Sequence, residues 1–329
     1  MAYTLANDND ENYGFEKAIA NFALRAVHES SGMVNMTTVV TPTQGNVFEI
    51  PLFAPITYQD YTEANAGTVT EQNPELQQSS ITATPTYAAT AFGIFLNWTT
   101  SFNLAATLGA EMGEAFAEKV DQRVAGAFTG FKATPGNSTY ATSADGYTRV
   151  SALGAMELRV AGATPSAGDD TAGFTSFSVT ELVRNVKQNW KLARLSGSPV
   201  VVLDAGSHSR LLGELTGGAV SQSGGASLSA LGDELLRSGG IENLYGVRVM
   251  FTTFLKTASR AVADGTPEDV FVGAYFGDTA IYTVMKQGLE IKMGEKPGGL
   301  QQWITGVGYM GSGVGDGRRG GAINIEKVL

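Results

Sequence analysis

Apolar and polar residues alternate with a period of two over Ser79–Trp98, the signature of a strand whose two faces meet different surroundings. Ser80, Thr82, Thr84, Thr86 and Thr90 share one face; Ile81, Ala83, Tyr87, Ala89 and Ala91 share the other. A second extended stretch, Val47–Tyr61, comes before it, and Glu71-Gln72-Asn73-Pro74-Glu75 joins the two into a ribbon. A two-stranded ribbon of this length cannot bury both faces within its own domain, and isolated hairpins are marginal in water. Its stabilising surface is therefore expected on another molecule, and a second copy of the same chain is the economical source.

The period changes at Leu104. Early apolar positions Leu104, Ala105, Leu108, Met112 and Ala115 are followed by Phe116, Val120, Val124, Ala127, Phe128 and Phe131. At 100° per residue the two groups centre on different faces, so a helix over 104–131, roughly 40 Å long, should touch different layers along its length. Glu111, Glu114, Glu118 and Asp121 form a separate acidic edge, solvated or facing another subunit.

Elsewhere the pattern is shorter-ranged. Residues 1–12 read as a polar, acidic arm; Phe15, Ile19, Phe22 and Ala26 predict a helix over 14–29, and Val34–Thr41 a short strand. The Ala/Gly/Ser/Thr-rich stretch 132–170 predicts loops with short strands. Ser178 or Thr180 can cap a helix running to about Leu195, with Glu181 early and Lys191 and Arg194 late, as the helix dipole favours. Pro199–Asp204 predicts a buried strand, Ser207–Leu215 a helix, Gly217–Gly225 a flexible loop and 228–238 a helical turn. Val247–Phe254 and Val270–Tyr275 predict strands, and 279–329 several long strands separated by glycine turns.

Composition narrows the function classes. The 329 residues allow one large domain or two smaller ones. Charged residues make up only 16% of the chain, which suits a surface largely covered by partners. The net charge is −10, and no Lys or Arg falls between Arg25 and Lys119, arguing against sequence-specific DNA binding through a basic face. The absence of Cys excludes disulfides, thiolate metal sites and a Cys nucleophile. Met1–Asp8 lacks the pattern of a secretion signal, and no run approaches the ~18 apolar residues of a membrane span, so no membrane association is expected.

Candidate chemistry is sparse. Gly306-Val307-Gly308-Tyr309-Met310-Gly311 matches G-x-G-x-x-G, but the glycine-rich continuation cannot begin a good helix and too little chain remains for a dinucleotide-binding unit. A glycine-rich strand and turn is the better account. Asp204, Ser207, His208 and Ser209 bring acid, base and hydroxyl together on one short turn, which rarely has triad geometry; Ser207 reads as a helix N-cap and His208 as a surface residue. Two histidines, His28 and His208, make a His-based metal site improbable. Arg184, Lys187, Lys191 and Arg194 form a basic helix face, and Arg318-Arg319 a small basic spot suited to one partner carboxylate. No catalytic, cofactor-binding or metal residue is assigned, and the chain is expected not to be an enzyme.

The order of elements carries a resemblance. An N-terminal arm is followed by an acidic ribbon opening with Phe48-Glu49-Ile50-Pro51-Leu52-Phe53, then a long helix. An α/β unit with Ser198-Pro199-Val200-Val201-Val202-Leu203-Asp204, the segment Glu242-Asn243-Leu244-Tyr245-Gly246-Val247-Arg248-Val249, and closing β-strands complete it. This resembles the major capsid proteins of tailed bacteriophages with the HK97-type α+β fold, nearest the short-tailed, T7-like or cyanophage group. The resemblance implies an N-terminal arm (1–46), an E-loop β-ribbon (47–98) and a P domain (99–171) with a spine helix at 104–131. It further implies an A domain (172–278) and a return to the P domain (279–329).

It also implies partners. The expected function is a coat subunit assembling into homo-hexamers and homo-pentamers of an icosahedral head around double-stranded DNA, held without sequence specificity. Host-cytoplasmic synthesis, a separate scaffolding protein, a portal at one vertex and a cement or decoration protein are expected with it. An encapsulin-type compartment shell is the alternative within the fold, and a soluble α+β enzyme the alternative outside it. Expected interface residues on the ribbon are Tyr58, Asp60, Glu63, Glu71, Glu75, Thr82 and Thr84, facing Lys286, Lys292, Lys296, Arg318 and Arg319 of adjacent copies. Gly217, Gly218, Ser221 and Gly224 are expected in a loop at the capsomer axis. Some members of the fold crosslink through an E-loop Lys; the ribbon here has none, so self-crosslinking is not expected.

Overall fold

Leu104–Ala127 folds as one helix, α1, continued by a 3-10 turn over Phe128–Gly130. Its apolar positions touch different layers along its length, as their angular offset predicts, but the change of layer falls after Val120 and not after Ala115. Leu108 and Met112 pack with Ile19, Ala23, Leu289, Ile291 and Ile304, and Phe116 and Val120 pack with Met310. Val124, Ala125, Ala127, Phe128 and Phe131 instead join the main core, where the rings of Phe128 and Phe276 lie 5.8 Å apart. The computed structural model describes residues 19, 21, 23, 32–42, 45–53, 76–93, 104–131, 140–142, 148–150, 153–159, 175–221, 243–261, 267–295 and 301–327. Positions 19, 21 and 23 are helical, consistent with the N-terminal helix; the turn expected at 228–238 lies outside the described residues.

The first half of α1 sits on a four-stranded sheet of order β1-β14-β15-β4, where β1 is Thr38–Val40, β4 Thr84–Gly93, β14 Ile281–Glu295 and β15 Gln301–Val314. A 3-10 turn, Val34–Met36, precedes β1 and shortens the strand expected over 34–41. The ribbon base is an antiparallel pair, β2 (Val47–Phe53) with β3 (Leu76–Thr82), in the register Val47 opposite Thr82.

Here the structure corrects the expectation of a ribbon satisfied only by another copy. The second arm breaks at Ala83. Its first part, β3, pairs with β2, and its second part, β4, pairs antiparallel with β15 of the same chain from Thr84–Met310 to Gly93–Gln301. Ile50, Ile81 and Ala83 are buried against Val284, with Phe48, Leu52, Tyr282 and Tyr309 around them. One face of the ribbon base is therefore covered within the protomer. The distal segment 54–75 lies outside the described residues.

The second half of α1 and helices α2 (Val179–Leu192) and α3 (Ala205–Ser221) pack on an eight-stranded sheet. It contains β7 (Met156–Leu158), β8 (Thr175–Ser176), β9 (Val200–Asp204), β10 (Asn243–Leu244), β11 (Val247–Thr252), β12 (Thr257–Ala261), β13 (Pro267–Phe276) and β16 (Gly320–Glu326). β9 runs parallel to β11 and antiparallel to β13, and Val201, Val202 and Leu203 are fully buried, as expected of a short β-branched run. Ser178 caps α2, its Oγ accepting the Glu181 N–H at 3.0 Å. The Glu214 carboxylate of α3 accepts the Val179 and Thr180 N–H groups at 2.7 and 3.0 Å, placing a negative charge at the N-terminus of α2.

Gly317 opens a 3-10 turn between β15 and β16, as expected of a glycine turn, but the glycines of β15 make no turn. Gly306, Gly308, Gly311 and Gly313 all lie inside β15. A Cβ at Gly308 would come within 2.2 Å of the Phe116 ring on α1, and one at Gly311 within 2.3 Å of the Thr82 carbonyl oxygen. At Gly313 it would meet Ile81 at 3.0 Å. Helix and ribbon thus approach opposite faces of one strand at distances that only glycine permits, and no dinucleotide turn is present at 306–311.

Gly308→Val should lower unfolding stability by about 1–3 kcal/mol through overpacking against Phe116. Gly213→Ala, where an added Cβ meets nothing within 4 Å on helical backbone, should be neutral or stabilise by up to ~1 kcal/mol. Urea denaturation of the two variants measures the contrast; equal midpoints would mean α1 does not seat on β15.

Candidate assembly surfaces

Among the described residues, β4 is an open edge of the four-stranded sheet. Pro85 lacks an N–H, which an edge strand tolerates, and no residue of Thr84–Gly93 is charged. Natural edge strands are usually protected by charge, and this ten-residue edge is not. On the face of the sheet away from α1, Tyr87 is 79% exposed and Trp303 36% exposed, with Ala89 and Ala91 also exposed between them. Tyr87 lies opposite Val307, and Ala91 opposite Trp303. Strand alternation identified Tyr87, Ala89 and Ala91 as one face, but it carries no information on which strand pairs with them.

Of the ribbon residues expected at an interface, Thr82 and Thr84 are exposed at the ribbon base, and the Thr84 hydroxyl accepts a hydrogen bond from Arg123 Nη1. Tyr58, Asp60, Glu63, Glu71 and Glu75 lie outside the described residues, as does Lys296. Lys286 donates to Asn46 Oδ1 at 2.9 Å and stands 5.6 Å from the Tyr309 ring centroid. Lys292 lies 3.6 Å from Glu290 on the same strand. Arg318 holds Asp316 through Nε at 2.8 Å and Nη2 at 3.1 Å, while Arg319 Nε is 3.7 Å from the same carboxylate. The basic spot read at Arg318-Arg319 is thus engaged within the chain, by an acid two residues upstream.

Two other expectations change. α3 continues to Ser221, so Gly217, Gly218 and Ser221 occupy its last turns rather than a loop; Gly224 lies outside the described residues. Once nucleated, a helix adds one backbone hydrogen bond per residue, and that gain outweighs the weak helix propensity of Gly and Ser. Asp204 takes the capping role expected of Ser207: its carboxylate accepts the Gly206 N–H at 2.9 Å and the Ser207 hydroxyl. Ser207 is buried, and His208 is half-buried with its ring 4.8 Å from that of Phe251. These contacts use Asp204, Ser207 and His208 as helix-start and packing groups. Among the described residues no group of three His, Cys, Asp or Glu side chains could hold a metal ion, and no helix is long and apolar enough to cross a membrane.

Two carboxylates have displaced proton affinities. Burial raises the pKa of Asp121 on α1, an effect partly offset by the N–H groups of Met33 and Gly32; Met33 N lies 3.3 Å away. Burial would also raise Asp316, but hydrogen bonds from Arg318 and the charges of Arg318 and Arg319 outweigh it and hold the carboxyl below its usual range.

No protein-family model and no curated protein sequence matches the chain. Solved structures do. The capsid of cyanophage P-SCSP1u is similar with a TM-score of 0.60 at 14% identity, over 89% of this chain and 87% of that one. The capsid of a native GTA particle is similar with a TM-score of 0.58 at 14% identity, over 91% of each chain. The chain has the HK97-type capsid fold. A virus-like particle from Pyrococcus furiosus shares it with a TM-score of 0.54 at 10% identity, covering 95% of this chain and 99% of that chain. The capsid fold agrees with the α+β architecture expected from the order of arm, ribbon, long helix, α/β unit and closing strands.

The two carboxylates should respond oppositely to pH. A raised carboxyl pKa contributes stability that is fully present below the unfolded value and lost as pH rises through the folded one. Ionised Asp121 therefore costs stability at neutral pH, and Asp121→Asn should raise the melting temperature at pH 7, with the gap closing towards about pH 4. A depressed pKa stabilises above the unfolded value and is lost as pH falls through the folded one. Asp316→Asn should thus lower stability at pH 7 by at most about 1 kcal/mol, since both arginines are nearly half exposed, and have no effect in acid. Thermal melts across pH 3–7 report both signs.

Proposed function

We propose that the chain is the major coat subunit of a bacteriophage head, assembling through homo-hexamers and homo-pentamers into an icosahedral shell around double-stranded DNA. The observation that carries this reading is the likeness to phage capsid structures over about nine-tenths of the chain. The uncharged β4 edge and the exposed Tyr87–Trp303 face support it, because a free subunit gains nothing from leaving them open. On this reading the four-stranded sheet with the first half of α1 belongs to the P domain, the ribbon based on β2 and β3 is the E-loop, and the eight-stranded sheet with α2 and α3 forms most of the A domain. The protein is structural rather than catalytic and becomes part of the virion after synthesis in the host cytoplasm. A separate scaffolding protein, a portal at one vertex and a cement protein are the partners such a shell uses.

The ribbon tip is the contact we assign to a neighbouring copy, with Tyr58, Asp60, Glu63, Glu71 and Glu75 at or near it. Individual rim ion pairs are worth on the order of 0–1 kcal/mol, and repetition around a capsomer makes closure strong. Gly217, Gly218 and Ser221, at the end of α3, together with Gly224, are assigned to the capsomer axis.

A second reading within the same fold is a compartment shell enclosing protein cargo; the fold is shared by a virus-like particle from Pyrococcus furiosus as well as by phage capsids. Negative-stain microscopy of the expressed chain, with and without scaffold, should show closed shells; nuclease-protected DNA would favour the phage head and a co-purifying enzyme the compartment. A chain that stays monomeric in both conditions overturns both readings. Deleting 62–78 should abolish closed shells while leaving a folded protomer, and shells that still form would remove the ribbon tip from assembly.

A further inference from the structure

The basic face of α2 has no counterpart within the described protomer. Arg184, Lys187, Lys191 and Arg194 follow one another at intervals of three, four and three residues. At 100° per residue Arg184, Lys187 and Lys191 fall within roughly 60° of arc along about 10 Å of helix, and Arg194 follows two residues past the end of α2. Arg184, Lys191 and Arg194 are exposed and Lys187 is half-buried. Lys187 donates to the Gly246 carbonyl at 3.3 Å, but none of the four has a carboxylate within 4 Å among the described residues. Three like charges on one stripe repel each other, in a chain whose net charge is −10.

The other long helix carries the same spacing with opposite sign. Glu111, Glu114, Glu118 and Asp121 of α1 also follow at three, four and three residues, and Glu111, Glu114 and Glu118 are exposed. Asp121 is buried and held by the Met33 N–H, leaving three carboxylates over about 10 Å of helix. They line a groove whose other wall includes Phe254. Among the described residues no cation lies within ion-pair distance of these three. Arg184, Lys187 and Lys191 therefore match Glu111, Glu114 and Glu118 in spacing and oppose them in charge, yet the two sets do not meet in one protomer.

We propose that the basic face of α2 docks on the acidic face of α1 of a second copy, Arg184, Lys187 and Lys191 lying against Glu111, Glu114 and Glu118. The occupant is assigned by charge complementarity at equal spacing. The contact joins two different patches, so it is heterologous and propagates around a ring until the rotation closes. Because the exposed pairs are screened by salt, it orients and selects neighbours more than it supplies affinity. This inference rests on the coat-subunit reading and names one of its contacts.

Charge reversal with compensation tests it in the full chain. Arg184→Glu/Lys191→Glu and, separately, Glu111→Lys/Glu118→Lys should each reduce the assembled fraction about tenfold or more in sedimentation velocity at physiological salt. All four changes together should restore assembly to within about threefold of wild type. Either reversal assembling like wild type, or a combination no better than its parts, overturns the pairing. Should a reversal unfold the protein by circular dichroism, the Cys-free chain permits Glu114→Cys/Lys187→Cys instead. That variant should give disulfide-linked dimers and higher ladders on a non-reducing gel, and monomers alone would overturn the pairing. An α2 reversal that assembles normally but loses bound nucleic acid would assign the stripe to a polyanion and overturn it too. Wild-type chain that never assembles defeats the coat reading itself, whereas shells indifferent to reversal defeat only this contact.

Discussion

Helix α1 reaches the backbone of β15 because Gly308 presents no side chain to Phe116, and the ribbon base reaches the opposite face of that strand beside Gly311 and Gly313. One strand thus carries a helix on one side and a hairpin on the other, each nearer than any residue with a Cβ would allow. Most of the remaining architecture inherits its position from this contact. The seat of α1 sets where Val124, Phe128 and Phe131 enter the main core, and the seat of the ribbon base sets where Ile50, Ile81 and Ala83 meet Val284.

The charges follow a similar economy. Cations near the closing strands are used within the chain: Lys286 on Asn46 and Tyr309, Arg318 and Arg319 on Asp316, Arg123 on Thr84 and the Met310 carbonyl. Those on α2 are not matched by carboxylates in the same way. An interface between copies is better sought where charge is left unbalanced than where it is merely abundant, since a group already paired must lose one partner to gain another. The same logic sets the uncharged β4 edge apart from the polar surfaces around it.

Much of this was legible in the sequence, and the failures share a cause. The limits of α1, the strand at Val200–Asp204 and the Ser178 cap came from local periodicity and local hydrogen-bonding capacity, which act over a few residues. That α1 touches different layers followed from angular arithmetic, but the arithmetic put the change at Phe116, whereas Phe116 and Val120 stay with Met310 of β15. The pairing of β4 with β15 was missed because alternation fixes which face a residue occupies and says nothing about the neighbouring strand. Gly306–Gly311 was read as a glycine-rich strand and turn; the strand is there and the turn is not, because composition cannot distinguish a bend from a close approach. At Asp316 the signal was present: an acid two residues before an Arg-Arg pair can close back on it, and the short 3-10 turn at Gly317–Arg319 does so.

A continuous helix embedded in two cores also limits how the protomer can deform. The four-stranded and eight-stranded layers cannot slide past each other without breaking α1 or pulling Phe128 and Phe131 from their packing. Strain applied to the protomer therefore meets one stiff body, and it yields first at surfaces that α1 does not cross.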